Sequence, residues 1–286
     1  MTVKISVVIS TYNRAASLER CLNAFRQVIH NSEWELIVVD NASTDTTQRV
    51  VNEFARDRSI PLQYVFQPVR GLGNARNAGI SVASGDIIAF TDDDCYVTKS
   101  YLQETAAAFA DETIGFTTGR IMLYDSDDHP VTINESMTSK AFLPGRYLPP
   151  GEVKGANMAF RRALLERIAG FDPDFGSGAK FPAEDCDAAA RASLAGWSGR
   201  YVPEICVYHH HGRKVDQVTK LLRAYDLGRG AYHAKLLLSC KQPALFLKGL
   251  RGLPRRVWER PQAIIWELYG SVHYAFLFAR RRLKSQ

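Results

Sequence analysis

The stretch that decides the fold is Ile87–Asp94, which reads I-I-A-F-T-D-D-D. The apolar and β-branched residues at its start predict a buried strand. The carboxylates that follow repel one another and are costly to bury unless a cation lies among them. If the strand geometry continues, Asp92 and Asp94 point the same way. Oxygen donors in that arrangement suit Mg²⁺ or Mn²⁺ carrying substrate phosphates, and a solvated acidic turn is the alternative.

Strand and helix patterns alternate through the first part of the chain. The apolar runs Ile5–Ser10, Trp34–Asp40, Leu62–Phe66 and Ile87–Thr91 predict strands, and helical patterns separate them. This alternation is typical of an α/β fold, a mostly parallel sheet with helices on both faces. Such sheets bind ligands at the carboxyl ends of their strands, so the three acids lie where a site is expected.

The pattern is looser after the fourth strand. We expect extended segments at Ile114–Tyr124 and Ala156–Phe160, separated by a long polar loop at Asp125–Gly151 with at most one short element. A helix from about Ala183 to Ala195 and a final strand near Ile205–Tyr208 follow. The core is therefore predicted to end beside the histidine run that comes next.

The net charge of +6 hides two regions of opposite charge. From Gly212 to the end, the chain has 16 Lys and Arg against 4 Asp and Glu, whereas the residues before it have 20 against 26. The basic C-terminal extension mixes Leu, Ile, Trp and Phe with its cations, which suits helices lying on an anionic bilayer. A helical cap packed on the core is the alternative. Nucleic acid is not expected, because no nucleic-acid-binding module accompanies the charge.

The cysteines and the hydropathy indicate the compartment. The 5 cysteines form no C-x-x-C pair, which favours reduced thiols over disulfides or a zinc site. The first strand begins close to the N-terminus without a signal-peptide pattern. The most apolar stretch, Ala263–Ala279, is interrupted by Glu267, Gly270 and His273 and is a poor transmembrane candidate. We therefore expect a cytoplasmic protein.

Polar residues also follow the first three strands. Asp40 ends the second strand, where nucleotide-binding α/β folds place a carboxylate on a base or ribose, although a capping turn has a similar sequence. Ser10–Arg14, after the first strand, would line the same crevice. The segment G-L-G-N-A-R-N fails as a dinucleotide fingerprint because Arg76 replaces the third glycine. It still delivers an arginine suited to a phosphate or a carboxylate.

Two clusters late in the chain carry candidate chemistry. Glu184 and Asp185 begin a helix, whose positive end favours the ionised form of a general base. Ordinary first-turn acids are the alternative, and Asp187 is expected to pair with Arg191 one turn later. In the run His209–His211, one imidazole can complete a metal site begun by the acids, or all three can lie at the surface without a metal.

In their order along the chain, these segments resemble the family 2 glycosyltransferases, which have the GT-A fold. The matching segments are V-V-I-S-T-Y-N-R, L-I-V-V-D-N-A-S-T-D, G-L-G-N-A-R-N-A-G-I-S-V-A-S-G-D-I-I-A-F-T-D-D-D, K-G-A-N-M-A-F-R-R, G-F-D-P-D-F and A-E-D-C-D-A-A-A-R. The resemblance implies a Rossmann-like nucleotide-diphospho-sugar transferase domain over residues 1–214. The basic helical extension, residues 215–286, lies outside it.

The resemblance also implies roles for single residues. Donor-nucleotide contacts fall on Thr11, Asn13, Arg14, Asp40, Arg76, Asp92 and Asp93. The outer acids of the D-x-D motif, Asp92 and Asp94, would bind Mg²⁺ or Mn²⁺ together with His209. Asp185 matches the catalytic base, and Glu184 beside it would orient the acceptor or the base.

The implied reaction is metal-dependent, inverting transfer of one sugar from a nucleotide-sugar to a hydroxyl group. The acceptor would be a saccharide or a polyprenyl- or lipid-linked sugar in bacterial surface polysaccharide or glycolipid synthesis. An acceptor of that kind would give membrane docking a purpose, as a peripheral protein on the inner face of the cell membrane. The Q-x-x-R-W motif of processive members is absent, so single transfers are expected.

Two other classes of protein match part of the pattern. A sugar-phosphate nucleotidyltransferase needs a glycine-rich basic loop directly after the first strand, where this chain has S-T-Y-N. A catalytically inert saccharide- or lipid-binding protein could keep the same fold, but the intact acids argue against it.

Overall fold

The computed structural model describes residues 3–30 and 33–284, so the outermost residues of both predicted domains lie outside it. A nine-stranded mixed sheet forms the centre of the protein. Its parallel part runs in the order β3 (Leu62–Phe66), β2 (Trp34–Asp40), β1 (Ile5–Thr11) and β4 (Ile87–Asp92). The sheet continues through β8 (Asn157–Arg161), β6 (Ile114–Leu123), β9 (Ser198–His209) and β5 (Cys95–Val97), while β7 (Lys140–Phe142) also pairs with β9.

Helices cover both faces of this sheet, as predicted. One face packs against α1 (Ala15–Phe25), α2 (Thr47–Ala55) and α4 (Tyr101–Ala108). The other packs against α3 (Leu72–Val82), α5 (Arg162–Arg167) and α6 (Glu184–Leu194). Because side chains alternate along a strand, Val7 joins the first cluster and Val8 the second.

Two strand predictions need correction. The strand β5 was not predicted, because three residues carry too little pattern. The last strand begins at Ser198 and not near Ile205. Its pairing with β6 shifts register between Gly119 and Arg120, and Pro203, which cannot donate to a ladder, lies in the shifted part. The long loop contains one short element, β7, as expected.

The C-terminal extension is a set of four helices packed on the core. They are α7 (Val215–Leu238), α8 (Pro243–Leu250), α9 (Leu253–Glu259) and α10 (Pro261–Lys284). The helices α7 and α10 cross closely at Gly230, since a Cβ there would collide with the carbonyl of Glu267. Tyr232 and Tyr274 share a hydrophobic cluster with Phe175 and Phe181 of the core.

Buried ion pairs join the extension to the core. Nζ of Lys235 lies 2.6 Å from an oxygen of Asp172 and 2.7 Å from an oxygen of Asp187. The predicted pair between Asp187 and Arg191 is confirmed at 2.8 Å. The inner face of the extension is therefore the helical cap that the sequence left open as an alternative. Among the described residues, no helix is long and apolar enough to span a bilayer.

Candidate active site

The three acids lie on a tight turn between β4 and β5. Asp92 is the last residue of β4, and Asp93 and Asp94 form the turn. Cys95 of β5 is paired with His209 of β9, and the amide of His210 donates to the carbonyl oxygen of Asp94 over 2.8 Å. The short strand β5 thus carries the acids from the middle of the sheet to the end of its last long strand.

Asp94 lies between the side chains of Arg14 and His209. Nη2 of Arg14 is 2.7 Å from one carboxylate oxygen, and Nε2 of His209 is 3.1 Å from the other. Burial favours the protonated form of Asp94, but the hydrogen bond and charge of His209 and the charge of Arg14 outweigh it. They hold the pKa of Asp94 well below its usual range.

Asp93 has the opposite electrostatic balance. It accepts a hydrogen bond from the hydroxyl of Thr11 over 2.7 Å and lies 3.0 Å from Nη1 of Arg14. Burial is the largest influence, and the nearby negative charges of Asp94 and Asp92 add to it. Together they raise the pKa of Asp93 to about 7. Thr11 and Arg14, two predicted donor-binding residues, therefore contact the acidic turn directly.

The acids and one histidine form a possible metal site. One ligand atom from each of Asp92, Asp94, Cys95 and His209 lies within 4.8 Å of the others. Mg²⁺ and Mn²⁺ prefer oxygen and imidazole donors to sulfur, so the thiol of Cys95 is a poor ligand for either ion. Two carboxylates and one imidazole remain, a donor set that suits Mn²⁺ or Mg²⁺. The residues present therefore fit the predicted cation.

Arg76 connects this acidic turn to the second acidic motif. It is 2% exposed, with Nη1 2.7 Å from Glu184 and Nη2 3.5 Å from Asp92. Nη2 also donates to the carbonyl of Gly155 over 3.2 Å. The helix α3 delivers the arginine and the first turn of α6 delivers the glutamate. Sequence motifs 92 residues apart therefore meet at one guanidinium.

Asp185 lies beside this pair, and its carboxyl group has a pKa raised toward neutral pH. Its oxygens accept hydrogen bonds from the amides of Gly155 (2.9 Å) and Cys186 (2.7 Å). Burial and the negative charge of Glu184 outweigh these bonds and Arg76, and they raise the pKa of Asp185 to about 6. A carboxylate with a pKa close to the working pH is well suited to general-base catalysis.

Asp40 lies at the edge of a separate cavity of about 310 Å³. One oxygen accepts the amide of Ser43 over 2.7 Å, and the other accepts the hydroxyl of Tyr64 over 2.8 Å. The side chain of Asn13 accepts the amide of Thr44 over 2.7 Å, which ties the loop after β1 to the loop after β2. The cavity is lined by Asp40, Ser43, Thr44, Asp45, Gln48, Tyr64 and Phe66.

Comparison with known proteins identifies the family. Residues 6–169, more than half of the chain, match the family described as glycosyl transferase family 2. The chain belongs to this family. Its predicted membership, its α/β GT-A fold with a helical C-terminal extension, and its class as a glycosyltransferase are confirmed.

The similarity to individual family members and solved structures covers different shares of this chain. A glycosyltransferase of Nostoc sp. is 29% identical over 181 residues, which are 60% of this chain but only 55% of the Nostoc protein. A mannosyltransferase from Pyrobaculum calidifontis, solved in complex with GDP-Man and Mn²⁺, superposes with a TM-score of 0.64. It is 21% identical and covers 100% of this chain and 80% of its own. Staphylococcus aureus TarS in complex with UDP-GlcNAc gives 0.67 at 20% identity, over 90% and 73% of the two chains.

The structure separates the three histidines of this family member. His209 contacts Asp94, as described above. His210 turns away, with Nδ1 2.9 Å from the hydroxyl of Tyr96. Nδ1 of buried His211 accepts the amide of Arg213 over 3.0 Å. Only His209 of the three is therefore placed to join Asp92 and Asp94 among the described residues, and its role as a ligand stays a prediction.

Sequence reasoning missed the backbone and aromatic parts of the site. Gly155 contacts Asp185 through its amide and Arg76 through its carbonyl, and backbone groups leave no signature in a sequence. Tyr64 reaches Asp40 from the neighbouring strand β3, a contact that follows from the register pairing Val38 with Tyr64. The contact between Tyr64 and Asp40 can be predicted only once the parallel order of the strands is known.

Proposed function

We propose that the chain catalyses metal-dependent, inverting transfer of one sugar from a nucleotide-sugar donor to a hydroxyl of a saccharide or lipid-linked acceptor. One observation carries this proposal. Buried Arg76 contacts Glu184 of the base motif and Asp92 of the metal motif, at 2.7 and 3.5 Å. Because the two motifs share one arginine, a donor bound at the acids would present its reacting carbon close to Asp185.

The donor nucleotide would lie across the ends of β1, β2 and β4. The cavity beside Asp40 has room for a base or ribose, with Tyr64 and Phe66 on its wall. Thr11, Asn13 and Arg14 would frame the passage from this cavity to the acidic turn, and Asp92, which is 34% exposed, would face the diphosphate. The neighbouring structures with GDP-Man and UDP-GlcNAc support a nucleotide-sugar donor.

A divalent cation held by Asp92, Asp94 and His209 would neutralise charge on the leaving diphosphate. Asp185 removes the proton from the acceptor hydroxyl. The acceptor oxygen forms a bond to the anomeric carbon on the face opposite the diphosphate. The bond from that carbon to the phosphate oxygen breaks, and its electron pair stays on the leaving nucleoside diphosphate. Glu184, held by Arg76, orients the acceptor and keeps Asp185 in place.

We also propose that the extension docks on an anionic membrane surface, where a polyprenyl- or lipid-linked acceptor would be found. The outward face of α10 carries an apolar stripe whose members are each at least 56% exposed. The stripe consists of Ile265, Leu268, Tyr269, Val272 and Phe276. Nearby, Trp258 is 89% exposed, and Arg280, Arg281 and Arg282 follow at the end of the same helix. Apolar side chains beside exposed cations are typical of interfacial helices. This placement supports a cytoplasmic, peripheral protein working in surface polysaccharide or glycolipid synthesis.

The reaction is tested by separating donor cleavage from transfer. The wild type is incubated with Mn²⁺ or Mg²⁺, UDP- and GDP-sugars, and a panel of saccharide and polyprenyl-linked acceptors. We expect Asp94→Ala to abolish metal-dependent release of nucleoside diphosphate. Asp185→Asn should still bind the donor but transfer about 10²–10⁴-fold more slowly. Near-normal transfer by Asp185→Asn, together with complete loss in Asp94→Ala, would contradict the assignment of the base.

A further inference from the structure

Three tyrosines form an aromatic surface where β5, β6 and β9 meet. Tyr96 of β5 is paired in register with Tyr208 of β9, which is also paired with Met122 of β6. Tyr124 follows Met122 by two residues, so the three tyrosines share one face of the sheet. Tyr124 is 55% exposed and Tyr208 is 42% exposed. We call Tyr96, Tyr124 and Tyr208 the tyrosine platform.

The rings of the tyrosine platform are held in place although they face water. The ring centroid of Tyr124 lies 4.6 Å from that of Tyr96, edge to face, and 4.8 Å from that of His210. The hydroxyl of Tyr96 accepts a hydrogen bond from Nε of Arg20 over 3.0 Å and lies 2.9 Å from Nδ1 of His210. Among the described residues, the hydroxyls of Tyr124 and Tyr208 have no such partner. An aromatic surface that is already rigid loses little entropy on binding, and its free hydroxyls can bond to a polar ligand.

The surroundings of the platform decide between possible partners. The side chain of Asp125, directly after Tyr124, is 38% exposed and Asp127 is exposed, so an anionic bilayer or a nucleic acid would be repelled. Tyr124 and Tyr208 together offer about 200 Å² of side chain, whereas a stable protein interface buries about 800 Å² on each partner. A saccharide fits both features, because the C–H face of a sugar ring packs on an aromatic ring while its hydroxyls donate to carboxylates.

The platform lies next to the proposed reaction centre. Tyr96 follows Asp94 by two residues, so their Cα atoms are at most about 7 Å apart. The amide of His210 donates to the carbonyl of Asp94 over 2.8 Å. Phe116 of β6 packs in the hydrophobic cluster beneath α6, and Tyr124 comes an even number of residues later along the same run of chain. Because side chains alternate along a strand, the platform lies on the sheet face that carries α6, the helix of the proposed base.

We propose that the tyrosine platform binds the saccharide part of the acceptor by stacking, at sugar units next to the one whose hydroxyl reacts. This inference rests on the proposed function and narrows its acceptor class to molecules that carry an uncharged oligosaccharide, as opposed to a single sugar. Stacking on Tyr124 and Tyr208 holds the acceptor equally before and during the reaction. Removing it should therefore raise the acceptor KM more than it lowers kcat.

The test measures saccharide binding to the full chain by NMR titration. The ligands are maltohexaose, cellohexaose, mannohexaose and chitohexaose, each beside its monosaccharide. We expect at least one hexasaccharide to bind the wild type more tightly than its monosaccharide, and Tyr124→Ala and Tyr208→Thr each to weaken that binding about threefold to tenfold. Tyr124→Phe keeps the ring and should retain most of the affinity. The control is Ile29→Ala, at an exposed apolar residue between α1 and β2, which should bind as the wild type does.

Unchanged hexasaccharide binding in both Tyr124→Ala and Tyr208→Thr would overturn the inference, and so would the failure of every hexasaccharide of the panel to bind the wild type. Reduced flotation of Tyr124→Ala on phosphatidylglycerol vesicles would assign the platform to lipid and would also overturn it. Thermal unfolding shows whether each variant is folded, and Tyr208→Thr keeps a β-branched residue in its strand.

A separate measurement on the wild type distinguishes this inference from the proposed function. Metal-dependent release of nucleoside diphosphate from the donor needs no saccharide on the platform. If the wild type binds a hexasaccharide through Tyr124 and Tyr208 but releases no nucleoside diphosphate from any donor, the proposed function fails and the saccharide site remains. If release occurs and the tyrosine variants bind hexasaccharide normally, only the inference fails.

Discussion

The active-site cleft and the C-terminal extension are both highly charged, but they hold their charges in different ways. In the cleft, the like charges Asp93 and Asp94 are buried side by side, and Arg14 reaches them from 80 residues earlier in the chain. In the extension, Lys235 is neutralised inside the protein by two acids, while Arg255 and Arg280 lie exposed. The cleft therefore keeps an excess of buried negative charge that a cation would relieve, whereas the inner face of the extension is already balanced.

This difference explains why net charge alone is a poor guide to partners. The extension has a large excess of cations, yet its buried cations bind the core and only its outer ones are available to a membrane. The boundary predicted at Lys214 stays a prediction. However, the hydrophobic cluster shared across it implies that removing the extension would expose part of the core. Point variants are therefore better tests than truncation.

The largest expected effect comes from the buried cation of the extension. Lys235→Met should lower the free energy of unfolding by about 3–5 kcal/mol, because it leaves Asp172 and Asp187 without their cation in a buried place. Urea denaturation measures this change. Lys220→Met, at an exposed position of the same helix, is the matched control. Equal stability of the two variants would mean that the ion pairs of Lys235 with Asp172 and Asp187 contribute nothing measurable to the free energy of unfolding.

Membrane docking by the outer face gives the next largest effect. Replacing both Ile265 and Leu268 with Ser should reduce partitioning onto vesicles containing phosphatidylglycerol by about tenfold to hundredfold, because their apolar area would no longer be buried in lipid. Val69→Ser, which changes an exposed apolar residue outside the C-terminal extension, should leave partitioning unchanged. Flotation at roughly 0.1 M and roughly 1 M salt, where the Debye length is about 10 Å and about 3 Å, separates the apolar contribution from the basic one. Unchanged flotation of the double variant would show that this face does not dock.

The sequence predicted the cleft better than the extension, and the two regions show why. Asp92 and His209 end strands, and Asp94 and Asp185 lie in the turn or helix start that comes directly after an extended segment or loop, so the order of elements alone brings them to one edge. Their detailed partners, such as Gly155 and Tyr64, depend on register and backbone position. In the extension, the same residue types occupy the inner and outer faces of α10. Which face meets the core is decided by close-packed glycines such as Gly270, and composition does not show this.

A pH profile probes the electrostatics of the cleft. With the pKa of Asp185 raised to about 6, the protonated, inactive carboxyl dominates below that pH. The transfer rate should therefore rise about tenfold per unit as pH increases toward 6, and level off above it. The rate at saturating donor and acceptor, measured from about pH 3 to about pH 8 so that midpoints near 4 and near 6 both fall inside the range, tests this. A midpoint near 4 would show that burial and Glu184 do not raise the pKa.

The smallest effect is expected at an exposed ion pair of the extension that has the same length as a buried one. Arg255 lies 2.7 Å from Glu259 on α9, and Lys235 lies 2.7 Å from Asp187. The side chains of the first pair are 81% and 51% exposed, and those of the second only 7% and 2%. Water screens the exposed pair and solvates either partner when the other is removed, so Arg255→Ala should change the free energy of unfolding by less than about 0.5 kcal/mol. Urea denaturation beside Lys235→Met makes the comparison direct. A loss at Arg255 as large as that at Lys235 would show that distance, and not burial, sets the contribution of charge in this extension.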